Sequence, residues 1–282
     1  MLSVSCSCWK DGWKNELKGK DWTQLLFVKH PEVFLPWMES MRERTPAEIG
    51  GLRKIFEKFA IHEGARVLDL ASGIGRMSIN LAKARFEVVG VDISPFYVEY
   101  AQKWAKREQV ADRIRFYNFD MRDAARQLRK KMEERFDVVI NMGTSMGYYG
   151  EKEDVRTLKS LHGVTSPGAL LVIDTVNRDY LVKNFQEKGI SELDGIEWHE
   201  TRRLNLENSF MENNWRFYRK THASLRLLLE VPVSHRVYSL HELKQVTSSA
   251  GWKYLGSYGS TERLTPVTTG SFHMTLVGQK KV

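Results

Sequence analysis

Three aspartates stand at or near the ends of three β-rich runs, at spacings that let them meet one ligand. Asp69 lies in RVLDL (residues 66–70), Asp92 closes VVGVD (88–92), and Asp120 follows IRFYNF (114–119). Ionised carboxylates only accept hydrogen bonds, so such a set favours ammonium, sulfonium or hydroxyl groups over phosphates. Between the first two acids lies Ala71-Ser72-Gly73-Ile74-Gly75, whose glycines permit backbone angles and a close ligand approach that a Cβ blocks. A helix follows from Arg76, and the amides at its start point outward. An acid after the next strand is placed to accept from both hydroxyls of a ribose.

Two cofactor classes compete for that arrangement. A dinucleotide site reads G-x-G-x-x-G/A, with room for a pyrophosphate at the helix start. Here the third glycine position is Ser78, and Asp69 would set a negative charge against the pyrophosphate. S-adenosylmethionine carries a sulfonium, an α-ammonium and a ribose, and suits both acids. On the loop alone, nicotinamide enzymes and non-catalytic nucleotide binders remain as alternatives.

LDLASGIGR and VVGVDIS resemble motif I and the ribose-binding acid of class I S-adenosylmethionine-dependent methyltransferases, with Ala71 and Ser72 departing from the usual D-x-G-x-G-x-G. The resemblance implies an α/β, Rossmann-like seven-stranded sheet with helices on both faces and an antiparallel β insert after the fifth strand. It also implies cofactor contacts from Asp69, Ala71, Gly73, Gly75, Arg76, Asp92, Ile93, Asp120, Met121 and Asn141. In that family the acid at position 120 receives the adenine amino group and the next residue's backbone meets the ring. NMGTSMGYY (141–149) resembles motif IV, where acceptor meets methyl group. It lacks the Asn/Asp-Pro-Pro-Tyr/Phe form of enzymes that methylate exocyclic amines of bases. Its T-S-x-G-Y run is instead similar to a group related to glycine N-methyltransferase and sugar N,N-dimethyltransferases, as is TVNRDY (175–180). Tyr148 and Tyr149 either orient the acceptor or pack beneath a lid.

The elements that must position these residues are legible as patterns. Thr45-Pro46-Ala47-Glu48 reads as a capping box opening a helix to about Ile61. Ser94-Pro95 opens another, and Phe136 to Asn141 and Ala169 to Asp174 are the fourth and fifth strands, with Pro167-Gly168 a turn before the latter. Alternating stretches at 196–206, 211–220 and 225–238 suggest a three-strand antiparallel lid, set within an insert at about 191–238. His235, Arg236 and Tyr238, where the insert rejoins the core, are candidates for acceptor contact, with His235 a base or a structural histidine. Ser239-Leu240-His241-Glu242 is a second capping box, and 252–258 with 272–278 form a final antiparallel pair. Residues 1–44 read as a helical cap segment over the cofactor, with Trp37 at the pocket, and 45–282 as the methyltransferase domain.

Composition narrows the function further. The 282 residues carry a formal charge of +8, but Arg126, Arg129, Lys130 and Lys131 alternate with Asp123, Glu133 and Glu134, as on a solvated helix face. An RNA or protein methyltransferase is therefore the alternative that net charge supports, and a non-catalytic S-adenosylmethionine-binding module is the second. The only cysteines, Cys6 and Cys8, lie in a polar opening stretch far from every motif, which argues against thiolate catalysis and against a metal site. No apolar run is long enough to cross a bilayer and no secretory signal pattern is present, so a cytoplasmic protein, monomer or homodimer, acting on a small-molecule acceptor is expected.

Overall fold

Alternation along each apolar run sends its side chains to two opposite faces, and both faces are covered. The structure, a computed structural model, describes residues 21–133, 135–221 and 224–281. Cys6, Cys8 and the first part of the cap segment lie outside the described residues. In chain order, a π-helical turn, Gln24–Lys29, leads to α1 (Pro31–Ser40) and α2 (Thr45–Lys58). Then come β1 (Arg66–Leu70), α3 (Arg76–Lys83), β2 (Glu87–Asp92), α4 (Pro95–Arg107), β3 (Ile114–Asn118), α5 (Ala124–Lys130), β4 (Phe136–Asn141), α6 (Glu151–Ser160) and β5 (Thr165–Val176). After α7 (Arg178–Lys183) follow β6 (Lys188–Leu193), β7 (Ile196–Asn205), β8 (Phe210–Lys220) and β9 (Leu225–Arg236), and finally α8 (Leu240–Ser249), β10 (Trp252–Tyr258) and β11 (His273–Lys280).

The large sheet has the order β10-β11-β5-β4-β1-β2-β3. Its first five strands in sequence run parallel, and β11 is antiparallel to both β5 and β10. Val67, Val88, Val138 and Val172 pack on one face with residues of α2, α3 and α4. Leu68, Val89, Val139 and Leu171, each adjacent in sequence to one of these, pack on the other with α5, α6 and α8. Strand order reverses between β1 and its two neighbours, β2 and β4, which leaves a crevice beyond the carboxyl ends of these strands. Among the described residues no helix is long and apolar enough to cross a membrane.

β6 to β9 form a separate four-stranded antiparallel sheet. The expected three strands are β7, β8 and β9. The fourth, β6, was missed because KGISEL is exposed along nearly its whole length and shows no apolar alternation. Helix α7 was also unforeseen; its cap is Asn177, whose side chain accepts from the Asp179 amide. Pro167 and Gly168 lie inside β5 at an irregularity in its pairing with β4 and do not form a separate turn before it.

The capping expectations divided. Ser94 accepts from the Tyr97 amide with Pro95 at the first helical position, and Ser239 with Glu242 makes the full capping box. At α2 no box forms: Thr45 donates to the Met41 carbonyl at 2.9 Å, and the Glu48 carboxylate turns inward to Arg76. A buried guanidinium is a stronger claimant on Glu48 than the Thr45 backbone amide, which donates instead to the Arg42 carbonyl at 3.3 Å. α2 also stops at Lys58, short of Ile61, where Ala60 takes a left-handed conformation. Removing the Ser239 cap by Ser239→Ala should cost about 1 kcal/mol of stability, read as a lower urea midpoint with an unchanged slope.

Candidate functional site

The crevice at the sheet's switch point is a cavity with about 790 Å³ of empty space, counting the part open to solvent. Its floor is the turn after β1. Ala71, Gly73 and Gly75 all adopt positive φ there, at 61°, 55° and 82°. A Cβ on Gly75 would meet Phe116 and Ala101 at 2.9 Å, so that glycine is required for packing; one on Gly73 would meet only the flexible end of Met38, at 2.8 Å. Gly73 thus presents bare backbone to the cavity.

Of the three aspartates, Asp92 faces this space. Its Oδ2 accepts from the Gly73 amide at 2.8 Å and its Oδ1 from the Ser94 amide at 2.9 Å. No cation pairs with it among the described residues, and burial pushes its carboxyl up to about 6. Each oxygen keeps capacity for a further donor. Asp69 lies beneath the loop, outside the cavity wall, and its Oδ2 accepts from Ser78 Oγ at 2.6 Å. Burial pushes it, too, up to about 6. Asp120 stands off the rim, with Arg122 2.5 Å away, while Met121 next to it lines the cavity. The rim therefore does not gather three free carboxylates; it offers one.

The other cofactor candidates divide similarly. Ala71, Ile93 and Arg76 line the cavity. Arg76 is 6% exposed and donates to Glu48 and, at 3.1 Å, to Thr45 Oγ1. Asn141 stays behind the wall, donating to the Leu70 carbonyl at 2.7 Å and to Ser145 Oγ at 2.6 Å, and so sets the start of the loop after β4. Sequence patterns did not single out Ser72, whose buried Oγ lines the cavity without a hydrogen-bond partner among the described residues. Nor did they single out Thr23, Phe27, Met38 and Met41, which roof the cavity from the leading segment. An unpartnered seryl oxygen is visible only once the fold is known.

Tyr148 and Tyr149 both line the cavity. Tyr148 is stacked by Phe27 at 6.1 Å and met edge-on by Trp22 at 4.7 Å. Burial holds its phenol well above the ordinary range, and pushes that of Tyr149 up to about 12. Both stay protonated near neutrality and can orient a ligand or donate to it. The remaining acceptor candidates lie outside the cavity wall. Trp37 packs on Trp198 and Phe217, with centroids 5.5 and 5.8 Å away. Tyr238 is fully buried and donates to Asp154 at 2.6 Å. Arg236 ties β9 to α8 and α6 through Glu242 and Glu151. His235 lies edge-on to Tyr148 at 6.2 Å, and burial pushes its imidazole down to about 4, so it is neutral.

A largely parallel sheet in this order, with a glycine turn after β1 and a carboxylate closing β2, is the fold of the class I S-adenosylmethionine-dependent methyltransferases. The methyltransferase-domain family matches residues 61–215, more than half of the chain, and the chain belongs to that family. It is similar to glycine N-methyltransferase of Mus musculus, 32% identical over 160 residues, covering 53% of this chain and 52% of that one. It is similar also to glycine/sarcosine N-methyltransferase of Aphanothece halophytica, 33% identical over 130 residues, 45% of this chain and 46% of that one. The chain thus spans about half the length of these curated relatives. In fold it resembles an S-adenosylmethionine-dependent methyltransferase from Clostridium acetobutylicum, with a TM-score of 0.69 and 13% identity over 82% of this chain and 90% of that one.

The buried Arg76–Glu48 pair invites a direct test. Removing one charge leaves the other buried and unpaired, so Glu48→Gln should destabilise the protein by about 3–5 kcal/mol in chemical unfolding. Replacing both by methionine should recover most of that loss.

Proposed function

We propose that this chain transfers the methyl group of S-adenosylmethionine to a nitrogen of a small molecule. The observation that carries the reading is Asp92, a buried carboxylate with no ion-pair partner among the described residues, opening on a cavity floored by the Gly73 amide and by Ser72 Oγ, likewise unpartnered among those residues. Such a set suits ribose hydroxyls and a positively charged ligand and opposes a pyrophosphate. Asp92 would hold the ribose, with Ile93 and Met121 flanking the adenine and Ala71 to Gly73 lying along the aminoacyl end. The bound cofactor supplies a methyl carbon already activated by its sulfonium. What remains for the protein is to hold a nucleophile in line with that carbon and to keep water out, and good orientation alone is worth roughly 7–11 kcal/mol. The roof of Thr23, Phe27, Met38 and Met41 serves the second task. We take residues 45–282 as the catalytic domain, 1–44 as its cap and the β6–β9 sheet as its lid. Nitrogen as the acceptor atom is supported by the likeness to glycine and glycine/sarcosine N-methyltransferases, and by the motif after β4.

Incubation with labelled S-adenosylmethionine and a cell extract, split into metabolite, RNA and protein fractions, should place the label in metabolite amines. Label confined to the macromolecular fractions would sink the reading.

Asp92→Asn should weaken S-adenosylhomocysteine binding about 10- to 100-fold by calorimetry, the loss of charged hydrogen bonds worth about 1.5–3 kcal/mol. In the wild type, affinity should fall as pH drops through about 6, where Asp92 takes up a proton. Unfolding is not the cause: an acid raised from 3.8 to about 6 binds its proton more tightly when folded, so Asp92 and Asp69 add stability as pH falls across that window. An unaltered pH dependence in Asp92→Asn would remove the ribose assignment.

A further inference from the structure

The cavity that suits the cofactor also limits what the acceptor can be. Among its lining residues only Asp92 and Arg76 are charged; the cofactor reading uses Asp92, and Arg76 is paired with Glu48. Away from Asp92, the loop after β4 and the leading segment supply Thr23, Phe27, Met142, Ser145, Tyr148 and Tyr149. That stretch of wall holds no carboxylate for an ammonium and no guanidinium for an anion. The Arg122 guanidinium lies 3.7 Å over the Tyr149 ring, so an ammonium beside that ring meets a like charge where it would otherwise find cation–π attraction. Nor does this wall hold a base for an alkylammonium proton. Burial keeps both phenols protonated and pushes His235, behind Tyr148, down to about 4. Both features select a nitrogen that is uncharged near neutrality.

Behind Tyr148 the wall continues as one face of the small sheet. Opposed residues of antiparallel strands share a face, as do alternate residues of one strand. The register sets Met211 against His235, Asn213 against Val233 and Trp215 against Val231, so Asn213, Trp215 and His235 lie on one side. On that side His235 meets Tyr148 edge-on with centroids 6.2 Å apart, and Trp215 meets Trp22 at 6.3 Å. Phe34 closes the layer at its far end, against Trp198 and Trp215. Three buried polar atoms here have no hydrogen-bond partner among the described residues: Asn213 Oδ1, Trp215 Nε1 and His235 Nδ1. Asn213 is only 7% exposed. Trp22, in the same layer, is satisfied, its Nε1 donating to the Ser234 carbonyl at 3.1 Å. An unpaired buried polar atom costs stability, and folded proteins leave few of them. Three at neighbouring positions of one face mark a place that a ligand completes. They offer a donor, an acceptor and a neutral imidazole nitrogen, all set among aromatic rings.

We propose that the methyl acceptor is a flat aromatic or heteroaromatic ring bearing an uncharged nucleophilic nitrogen. It lies along Tyr148, with its nitrogen towards the cofactor and its polar substituents on Asn213, Trp215 and His235. The inference rests on the methyltransferase reading above and names the acceptor class of that same site. The nitrogen lone pair forms the new N–C bond as the S–C bond breaks, and sulfur keeps that electron pair as a thioether. The positive charge passes from sulfur to nitrogen, and where the nitrogen carries hydrogen the released product gives one proton to water. No base acts before the transfer, because a nitrogen in or on an aromatic ring holds a proton weakly. Contact with the rings of Tyr148 and Trp22 supplies buried area without charge. The indole N–H, the amide oxygen and the imidazole nitrogen fix how the ring is turned.

The first measurement follows the label from the cell extract into its product. The labelled metabolite should absorb in the near ultraviolet as an aromatic ring does. A labelled aliphatic amine overturns this inference alone, whereas label in no metabolite, or a chain that binds no S-adenosylhomocysteine, sinks the parent reading. The second uses the full chain saturated with S-adenosylhomocysteine and carrying heavy nitrogen in its indoles, titrated with benzimidazole, 2-aminopyridine, aniline, glycine and sarcosine. At least one of the aromatic probes should shift the Trp215 Nε1–H resonance, and glycine and sarcosine should not. No shift with any aromatic probe, or a shift with glycine or sarcosine, overturns the proposal. Asn213→Leu then separates ligand binding from packing. Because Asn213 Oδ1 has no partner among the described residues, leucine should hold or raise the melting temperature. It should raise KM for the labelled acceptor about 10-fold, with a far smaller change in kcat. A wild-type KM, or a change confined to melting temperature, overturns the seat assigned to the ring.

Discussion

A carboxylate kept dry at the end of β2 is the constraint on which the rim is built. Buried charge requires donors, and Asp92 finds two backbone amides, Gly73 on one flanking loop and Ser94 on the other. One side chain thereby joins the turn after β1 to the start of α4. The linkage continues outward: Ser94 Oγ accepts from the Tyr97 amide, and the Tyr97 hydroxyl donates to the Pro31 carbonyl at 2.8 Å, where α1 begins. Floor and roof of the cavity are therefore parts of one hydrogen-bonded chain. A ligand that engages Asp92 acts on the same contacts that seat the leading segment.

That roof is aromatic and adaptable at once. Phe34 and Trp37 of α1 pack against Trp198, Trp215 and Phe217 of the small sheet, and Trp22 Nε1 donates to the Ser234 carbonyl at 3.1 Å. Aromatic packing of this kind excludes water over a wide area. Directly above the glycine turn the contact passes to Met38 and Met41, unbranched side chains that can shift with little strain. Rigid rings thus fix the leading segment to the small sheet, and methionines leave room for a guest beneath it.

How much of this was legible depends on whether a residue's role is local. The strand–loop–helix unit at 66–92, the Ser94 cap and the Ser239–Glu242 box depend on neighbours in sequence, and each formed where the pattern put it. Glu48 obeyed the local pattern at α2 equally well, yet a guanidinium from α3 took it away. Asp69 and Asp120 stand near strand ends as expected, but Ser78 and Arg122 satisfy them first. An acid at a strand end is thus recognisable from sequence; whether anything has already claimed it is a tertiary question. The same limit hid the partner of Tyr238, since Asp154 lies 84 residues away in number and meets it only in the folded chain.

The distribution of proton affinities along the rim carries the chemistry one step further. Burial drives the carboxyls, phenols and imidazole around the cavity towards their neutral forms: Asp69 and Asp92 up, the tyrosines up, His235 down. A pocket of that character strengthens the electrostatic attraction between Asp92 and a cationic ligand, because Arg76 in its wall is already paired with Glu48 and little water screens it. An amine acceptor that arrives neutral needs no base in such a pocket, which leaves its orientation and the exclusion of water as the protein's part.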